Sequence, residues 1–240
     1  DQELKLNIAR AGHLATAREY ASPATLNIVT GNPKFREGKR DAISASLRAG
    51  SFGYISSDVV YSRKVGAGSW LRAEGEYTTA NGEYPFTLTN VKTVTRERRI
   101  NTDVLSCKGE ISCRINGSAI TVDLKGYAYK SERGLPGSVV LYNKEANERL
   151  DDKNCFLQGS IHRNLGNRME AKIYAKANYA NSLYEDTNLK YAGGKLIENS
   201  TQREMYMSEV FMAYINKVWR SVSISIDETR STLESTIKNC

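Results

Sequence analysis

The sequence has few of the residues on which enzyme active sites most often depend, and it has no long apolar run. It contains only two histidines, His13 and His162, in 240 residues. No apolar stretch approaches the roughly 20 residues that a membrane-spanning helix needs, so we expect no transmembrane segment. The chain opens on "DQELKLN" without an initiator methionine. We interpret this start as a mature form from which a signal peptide has been removed.

Motifs for cofactors and common hydrolases are also missing. "GAGS" at 66–69 lacks the remaining glycine of a dinucleotide fingerprint, and "YAGGKL" around Lys195 lacks the spacing of a P-loop. Neither G-x-S-x-G nor H-E-x-x-H occurs. Cysteine pairs at the two- to four-residue spacing of zinc sites are absent as well. The sequence therefore predicts no cofactor and no metal.

The four cysteines are Cys107, Cys113, Cys155 and Cys240. An even number favours two disulfides formed in an oxidising compartment. Cys107 and Cys113 flank "KGEIS", whose Gly109 can take a positive φ, and this predicts a hairpin closed by a disulfide. By elimination, Cys155 pairs with Cys240 and ties back the C-terminus. We therefore predict that the protein is secreted, periplasmic or at the cell surface.

Composition is that of a soluble globular protein with a modest basic excess. Apolar residues make up 40% and charged residues 25%, which argues against disorder. The net charge of +7 makes an acidic partner such as nucleic acid one alternative.

Strand patterns fill the middle of the chain, and helix patterns flank it. Residues 51–190 repeat runs rich in Val, Ile, Thr and Tyr between turn signals, which predicts antiparallel strands packed as a sandwich or barrel. Helices are predicted within 1–50, at 3–20 and 41–50, although the alternation of Leu4, Leu6 and Ile8 leaves open a strand before the first helix. They are predicted again within 191–240, where Thr201 and Glu204 form a capping box, apolar residues recur every seven positions, and Asp227 caps a final helix. The predicted fold class is α+β, with a β domain at 51–190 and terminal helical segments packing on it.

Two predicted strands, 120–129 and 169–178, alternate most regularly. Period-two patterning assigns their apolar residues to a core and their polar residues to the surface. Tyrosine offers a rigid ring with a hydroxyl group, and lysine adds a charge, which suits contact with a sugar, a nucleobase or a protein. The alternative is an ordinary solvated sheet surface. The predicted binding residues are Lys125, Tyr127, Tyr129, Lys172, Tyr174 and Lys176.

These observations favour an exported, disulfide-stabilised, non-catalytic binding or interaction protein. Its expected partner is a protein or glycan, in an envelope, surface or host-contact role. The alternative is a secreted basic enzyme, a toxin-like nuclease or phosphodiesterase. It would use His162 with His13 for proton transfer, or His162 with Glu170 at a cation.

Overall fold

The computed structural model shows a protein built from β-strands. It describes residues 4–9, 25–89, 94–137, 146–166, 168–187, 194–216 and 220–239, and these ranges contain no helix. The strands are β1 (Leu4–Ala9), β2 (Thr25–Thr30), β3 (Asp41–Ala49), β4 (Ile55–Gly66), β5 (Ser69–Ala80), β6 (Pro85–Thr89), β7 (Val94–Arg98), β8 (Val104–Asn116), β9 (Ile120–Leu135), β10 (Glu148–Asn164), β11 (Met169–Asp186), β12 (Leu196–Asn216) and β13 (Arg220–Asn239).

Nine strands form one antiparallel sheet in the order β3-β4-β5-β8-β9-β10-β11-β12-β13. Each strand pairs with its successor in sequence, except that the separate β6-β7 hairpin intervenes between β5 and β8. β1 and β2 form a second two-stranded sheet. Short connections suit this arrangement because antiparallel neighbours need no crossover segment.

The large sheet is a single layer. Large apolar side chains on one of its faces are exposed from end to end of the described sheet, with Ile43 at 76%, Leu157 at 63% and Ile226 at 67%, so no second sheet covers that face. The accessible surface is 16663 Å², whereas a compact monomer of this mass exposes about 11,000 Å². The expected sandwich is wrong because the large sheet has a single layer. The expected barrel is wrong because β3 and β13 are unpaired edges in the described part of the chain.

Strand register divides the side chains of the sheet between two faces of different chemistry. On one face Ile161 lies beside Val122 and Ile173, and on the other face the next residue, His162, lies beside Lys172. We call the first the apolar face. Across the sheet it carries Ile43, Leu47, Val59, Leu71, Ile111, Ile115, Val122, Leu124, Leu157, Ile161, Ile173, Met205, Met207, Phe211, Ile224 and Ile226.

The opposite side, which we call the polar face, is the more buried of the two. Leu157 and Met205 on the apolar face are 63% and 65% exposed. By contrast, the side chain of Arg72 on the polar face is only 11% exposed. The alternation at 120–129 and 169–178 is therefore present, but the assignment of its apolar residues to a core is wrong. Buried side chains within the sheet lie on the polar face: Ser56, Ser62, Ser131, Asp186, Ser208, Val210 and Met212.

The predicted helices that fall on described residues are wrong, and with them the α+β class. Residues 41–49 form β3, 196–216 form β12 and 220–239 form β13. A seven-residue spacing keeps apolar residues together on a helix but places them on opposite faces of a strand, as happens to Met205 and Met212. Thr201, instead of capping a helix, accepts a hydrogen bond from Asn181 Nδ2 across the β11-β12 pair at 2.9 Å.

The segments 1–50 and 191–240 were expected to pack on a β domain at 51–190. The strands β3, β12 and β13, which lie outside 51–190, are members of the same nine-stranded sheet. The division of the chain into these three segments stays a prediction. The strand that alternation allowed at the start of 3–20 is present as β1, and residues 10–20 of the predicted helix lie outside the described residues.

The predicted Cys107–Cys113 disulfide is also wrong. Both residues lie on β8, where six residues of extended chain span about 20 Å. The segment between them continues the strand instead of reversing it. Cys155 on β10 is a free thiol too, and its predicted partner Cys240 lies outside the described residues.

Native thiol labelling tests this arrangement. We expect Cys107 and Cys113 each to react with a maleimide in the folded protein, because neither is bonded to another sulfur. Peptide mapping without reductant gives the readout, and a peptide cross-linked through Cys107 and Cys113 would contradict the continuous strand β8.

Replacing Asp227 by alanine is expected to lower the free energy of unfolding by about 1–3 kcal/mol. The fully buried Ser208 donates its hydroxyl hydrogen to Asp227 Oδ1 at 2.7 Å and would lose that acceptor. Denaturant unfolding followed by circular dichroism measures the change. Glu228→Ala, on the opposite face of the same strand, is the control and should cost less than about 0.5 kcal/mol. Equal losses in the two variants would show that the buried hydroxyl group is not the cause.

Candidate functional site

The six predicted binding residues all lie on the polar face, three on β9 and three on β11. β10 runs between these strands and contributes Phe156 to the same face. The rings of Tyr127 and Phe156 stack with centroids 4.9 Å apart at 17°. Lys176 Nζ lies 4.9 Å from the Phe156 centroid, a cation–π distance. Register thus brings the predicted residues onto one surface, with a phenylalanine between them that the sequence pattern did not identify.

Other members of the set are also held by neighbours. Tyr174 and Tyr206 make an edge-to-face pair with centroids 6.0 Å apart. Lys125 Nζ forms an ion pair with Glu110 Oε1 at 2.9 Å. Tyr129 lies opposite Lys108 on β8, and Lys172 lies opposite His162 on β10. These contacts make the Tyr/Lys group part of a cross-strand network as well as a surface.

Ionisation on this face follows from burial and pairing. Burial raises the pKa of the Tyr127 phenol above its ordinary value, and the nearby Lys108 ammonium partly opposes the shift. A hydrogen bond from Lys108 Nζ to Glu76 Oε2, 2.9 Å long, raises the pKa of Lys108, while burial opposes it. Tyr127 therefore stays neutral, and Lys108 stays charged, to higher pH than their ordinary pKa values imply.

The candidate catalytic histidines are not brought together among the described residues. His162 Nε2 lies 3.4 Å from Glu170 Oε2 across the β10-β11 pair. Tyr214 donates its phenolic hydrogen to the same carboxylate at 3.2 Å. His13 lies outside the described residues. Within the described ranges, no group of three or more His, Cys, Asp or Glu side chains is arranged to hold a metal ion.

The apolar face forms a continuous band across the nine strands. On β9 the band runs from Ile120 to Ala128, and on β11 from Met169 to Tyr179, so its length along a strand is about 25–35 Å. The end of the apolar run shifts along the strand direction from one strand to the next. At the same border of the band, the last apolar residue is Ala49 on β3 and Ile226 on β13. Summed over the sheet, this shift inclines the band by about 40° to the line perpendicular to the strands.

Tyrosines and ion pairs lie at the margins of this band. The tyrosines of the sheet that share this face are Tyr61, Tyr77 and Tyr179, each near the end of its strand's apolar run. Tyr61 donates its phenolic hydrogen to Asp41 Oδ1 at 2.6 Å. Glu209 is the exception, a charged residue inside the band on β12. Ion pairs beyond the margins are Arg63–Asp41, Lys130–Glu132, Lys153–Asp151 and Arg203–Glu234.

All three described cysteines point to the apolar face. Cys113 lies opposite Leu124, and Cys155 lies opposite Ala128. Cys107, opposite Lys130, stands at the margin. Period-two counting along β8 and β10 could have placed these thiols on one face, but the expectation of a hairpin at Gly109 concealed that signal.

Comparison with known proteins leaves the site to be interpreted from its geometry. The part of the chain that the structure describes has no helix with the length and hydrophobicity to span a bilayer. No protein-family model matches the chain, and no curated protein matches it.

Tyr127 should titrate above pH 10, the ordinary value for tyrosine. Because its folded pKa is raised, its contribution to stability is complete below about pH 10 and is lost as the pH rises through the folded value. The difference between alkaline absorbance titrations of the wild type and Tyr127→Phe isolates this phenol. A midpoint at or below about 10 would contradict the burial of its hydroxyl group.

Proposed function

We propose that this protein is a non-catalytic binding protein whose apolar face adheres to a lipid surface. One observation carries the proposal, namely the exposed apolar band that crosses all nine strands while the opposite face is filled with paired charges. The band covers about 40 Å by 25 Å. Monomeric soluble proteins rarely expose continuous apolar patches larger than a few hundred Å², and larger patches serve as interaction sites.

The shape of the band supports lipid as the occupant. Sheet surfaces that face lipid carry a continuous apolar band bordered by aromatic residues. Here the apolar band is continuous across the nine strands, and Tyr61 and Tyr179 stand at opposite margins. Tyrosine suits such a border because its ring is apolar and its hydroxyl group is polar.

Charge beyond the margins points the same way. The ion pairs there, such as Arg63–Asp41 and Arg203–Glu234, combine both signs, as zwitterionic headgroups do. A second protein copy packed face to face would form a sandwich. Such a copy would not account for an oblique band with tyrosines at both borders, so we assign the face to lipid.

The lipid proposal leaves the predicted location, the predicted partner of the polar face and the enzyme alternative as separate hypotheses. A location outside the cytosol stays a prediction, but the described cysteines no longer supply an argument for it. A protein or glycan partner at the Tyr/Lys residues of the polar face also stays a prediction. The nuclease or phosphodiesterase alternative also stays a prediction: His13 lies outside the described residues, and His162 lies beside Glu170 without a third metal-ligating side chain among the described residues.

Flotation with phosphatidylcholine vesicles tests the proposal. The wild-type chain should float with the vesicles. Leu157→Lys, in the middle of the apolar face, should weaken partitioning at least about tenfold, because a lysine at the centre of an apolar phase costs about 2–4 kcal/mol.

The matched control places the same charge on the other side. Gln202→Lys lies on the exposed part of the polar face and should float like the wild type. Failure of the wild type to float, or equal loss in the two variants, would refute a lipid-facing role. A wild type that stays in solution as a dimer, and becomes monomeric in Leu157→Lys, would assign the face to a second copy.

A further inference from the structure

We propose that the polar face holds a binding site for a neutral, polyhydroxylated ligand, a single sugar ring or the end of a glycan. The site is a cavity of about 230 Å³ where β5, β8, β9, β10 and β11 lie side by side. It lies on the side of the sheet opposite the lipid-binding band and does not depend on it. Its lining includes Trp70, Ser112, Arg114, Asp123, Lys125, Gln158, Ser160 and Tyr174.

Strand register builds this cavity from two neighbouring rows of the polar face. Trp70, Arg114 and Asp123 are consecutive cross-strand partners, and the same row continues through Ser160 to Tyr174. The next row supplies Ser112, Lys125 and Gln158, which are also cross-strand partners. Because both rows lie inside the sheet, away from its edge strands, the side chains are fixed by neighbours on two sides.

The charges of the cavity cancel within it. Arg114 donates two hydrogen bonds to Asp123, from Nε to Oδ1 at 2.6 Å and from Nη2 to Oδ2 at 3.2 Å. Lys125 is paired with Glu110, which also lines the cavity. A phosphate or carboxylate ligand would have to compete with these carboxylates, so the site favours a ligand without net charge. Paired guanidinium and carboxylate groups still offer donors and acceptors to hydroxyl groups.

One donor in the lining has no acceptor. The indole Nε1 of Trp70 is buried and makes no hydrogen bond among the described residues. Because this nitrogen has almost no accessible surface, a ligand in the cavity does not reach it, and the donors and acceptors open to a ligand come from other lining residues. Gln158, Ser112 and Ser160 add an amide and two hydroxyl groups on the same lining.

Two aromatic rings and the size of the cavity narrow the ligand class. Trp70 and Tyr174 lie on the outer two strands of the cavity, about 19 Å apart at four strand spacings, so a sugar ring can place its C–H side on one of them but not on both. The volume equals that of roughly seven or eight water molecules at about 30 Å³ each. That space is below the range typical of drug-sized ligands, so it suits one ring better than a larger molecule.

Saturation-transfer NMR with the full chain tests the proposal. The probes are glucose, galactose, mannose and N-acetylglucosamine, with glucuronate and glucosamine as charged counterparts. At least one neutral sugar should bind saturably and more tightly than the charged counterparts. Gln158→Leu should weaken that binding about three- to tenfold, the effect of one lost hydrogen bond.

The control is Gln202→Leu, which makes the same substitution on the polar face outside the cavity lining. It should leave affinity unchanged, and far-ultraviolet circular dichroism confirms that each variant retains its sheet. The proposal is overturned if no neutral sugar binds saturably, if a charged counterpart binds more tightly, or if Gln202→Leu loses as much affinity as Gln158→Leu.

Discussion

Backbone hydrogen bonding between neighbouring strands holds this protein together, because its described residues contain almost no apolar core. Of the buried residues only Ala146, Val210 and Met212 are apolar. In most domains a sheet gains stability by pressing one apolar face against a second layer. Here the second layer is missing from the described chain, so the apolar face remains open to whatever medium surrounds it.

The polar face takes over part of the role of a core. Arg72 reaches Glu74 at 2.8 Å, and Lys108 bridges Glu74 and Glu76 from the adjacent strand. Partly buried charges carry a desolvation cost that pairing offsets, so such networks contribute less to stability than to the choice of register. A slip of one residue would move each charge onto the apolar face, and the network therefore specifies which residues meet.

Alternation in the sequence was enough to predict the strands of the middle segment and the composition of each face. Ile173 and Tyr174 were correctly placed on opposite sides of one strand. Which side is exposed could not be predicted. Alternation along a strand shows that its two faces differ in composition, but it does not show what covers each face. The helices failed at β12 for a related reason. Its methionines, valine and phenylalanine occupy both faces, and a strand apolar on both sides imitates a broad helical stripe.

The site was only partly accessible from sequence. Tyr127 and Tyr174 could be grouped because their strands alternate clearly, whereas Phe156 and Trp70 join them through pairing between distant segments. No local spacing encodes that pairing. The tyrosines and lysines of two alternating strands indicated a binding surface. Which tyrosine rings lie at the margin of the apolar face and which join the network of the polar face depends on strand register alone.

The unpaired edge of β13 has a consequence for assembly. It extends over twenty residues, contains no proline, and leaves alternate amide and carbonyl groups directed away from β12. A rim of this kind is a template onto which another extended segment can be added by main-chain hydrogen bonds. The sheet can therefore be extended by further strands at this edge. Each added strand with the same alternation would enlarge the apolar face and leave the chemistry of the polar face unchanged.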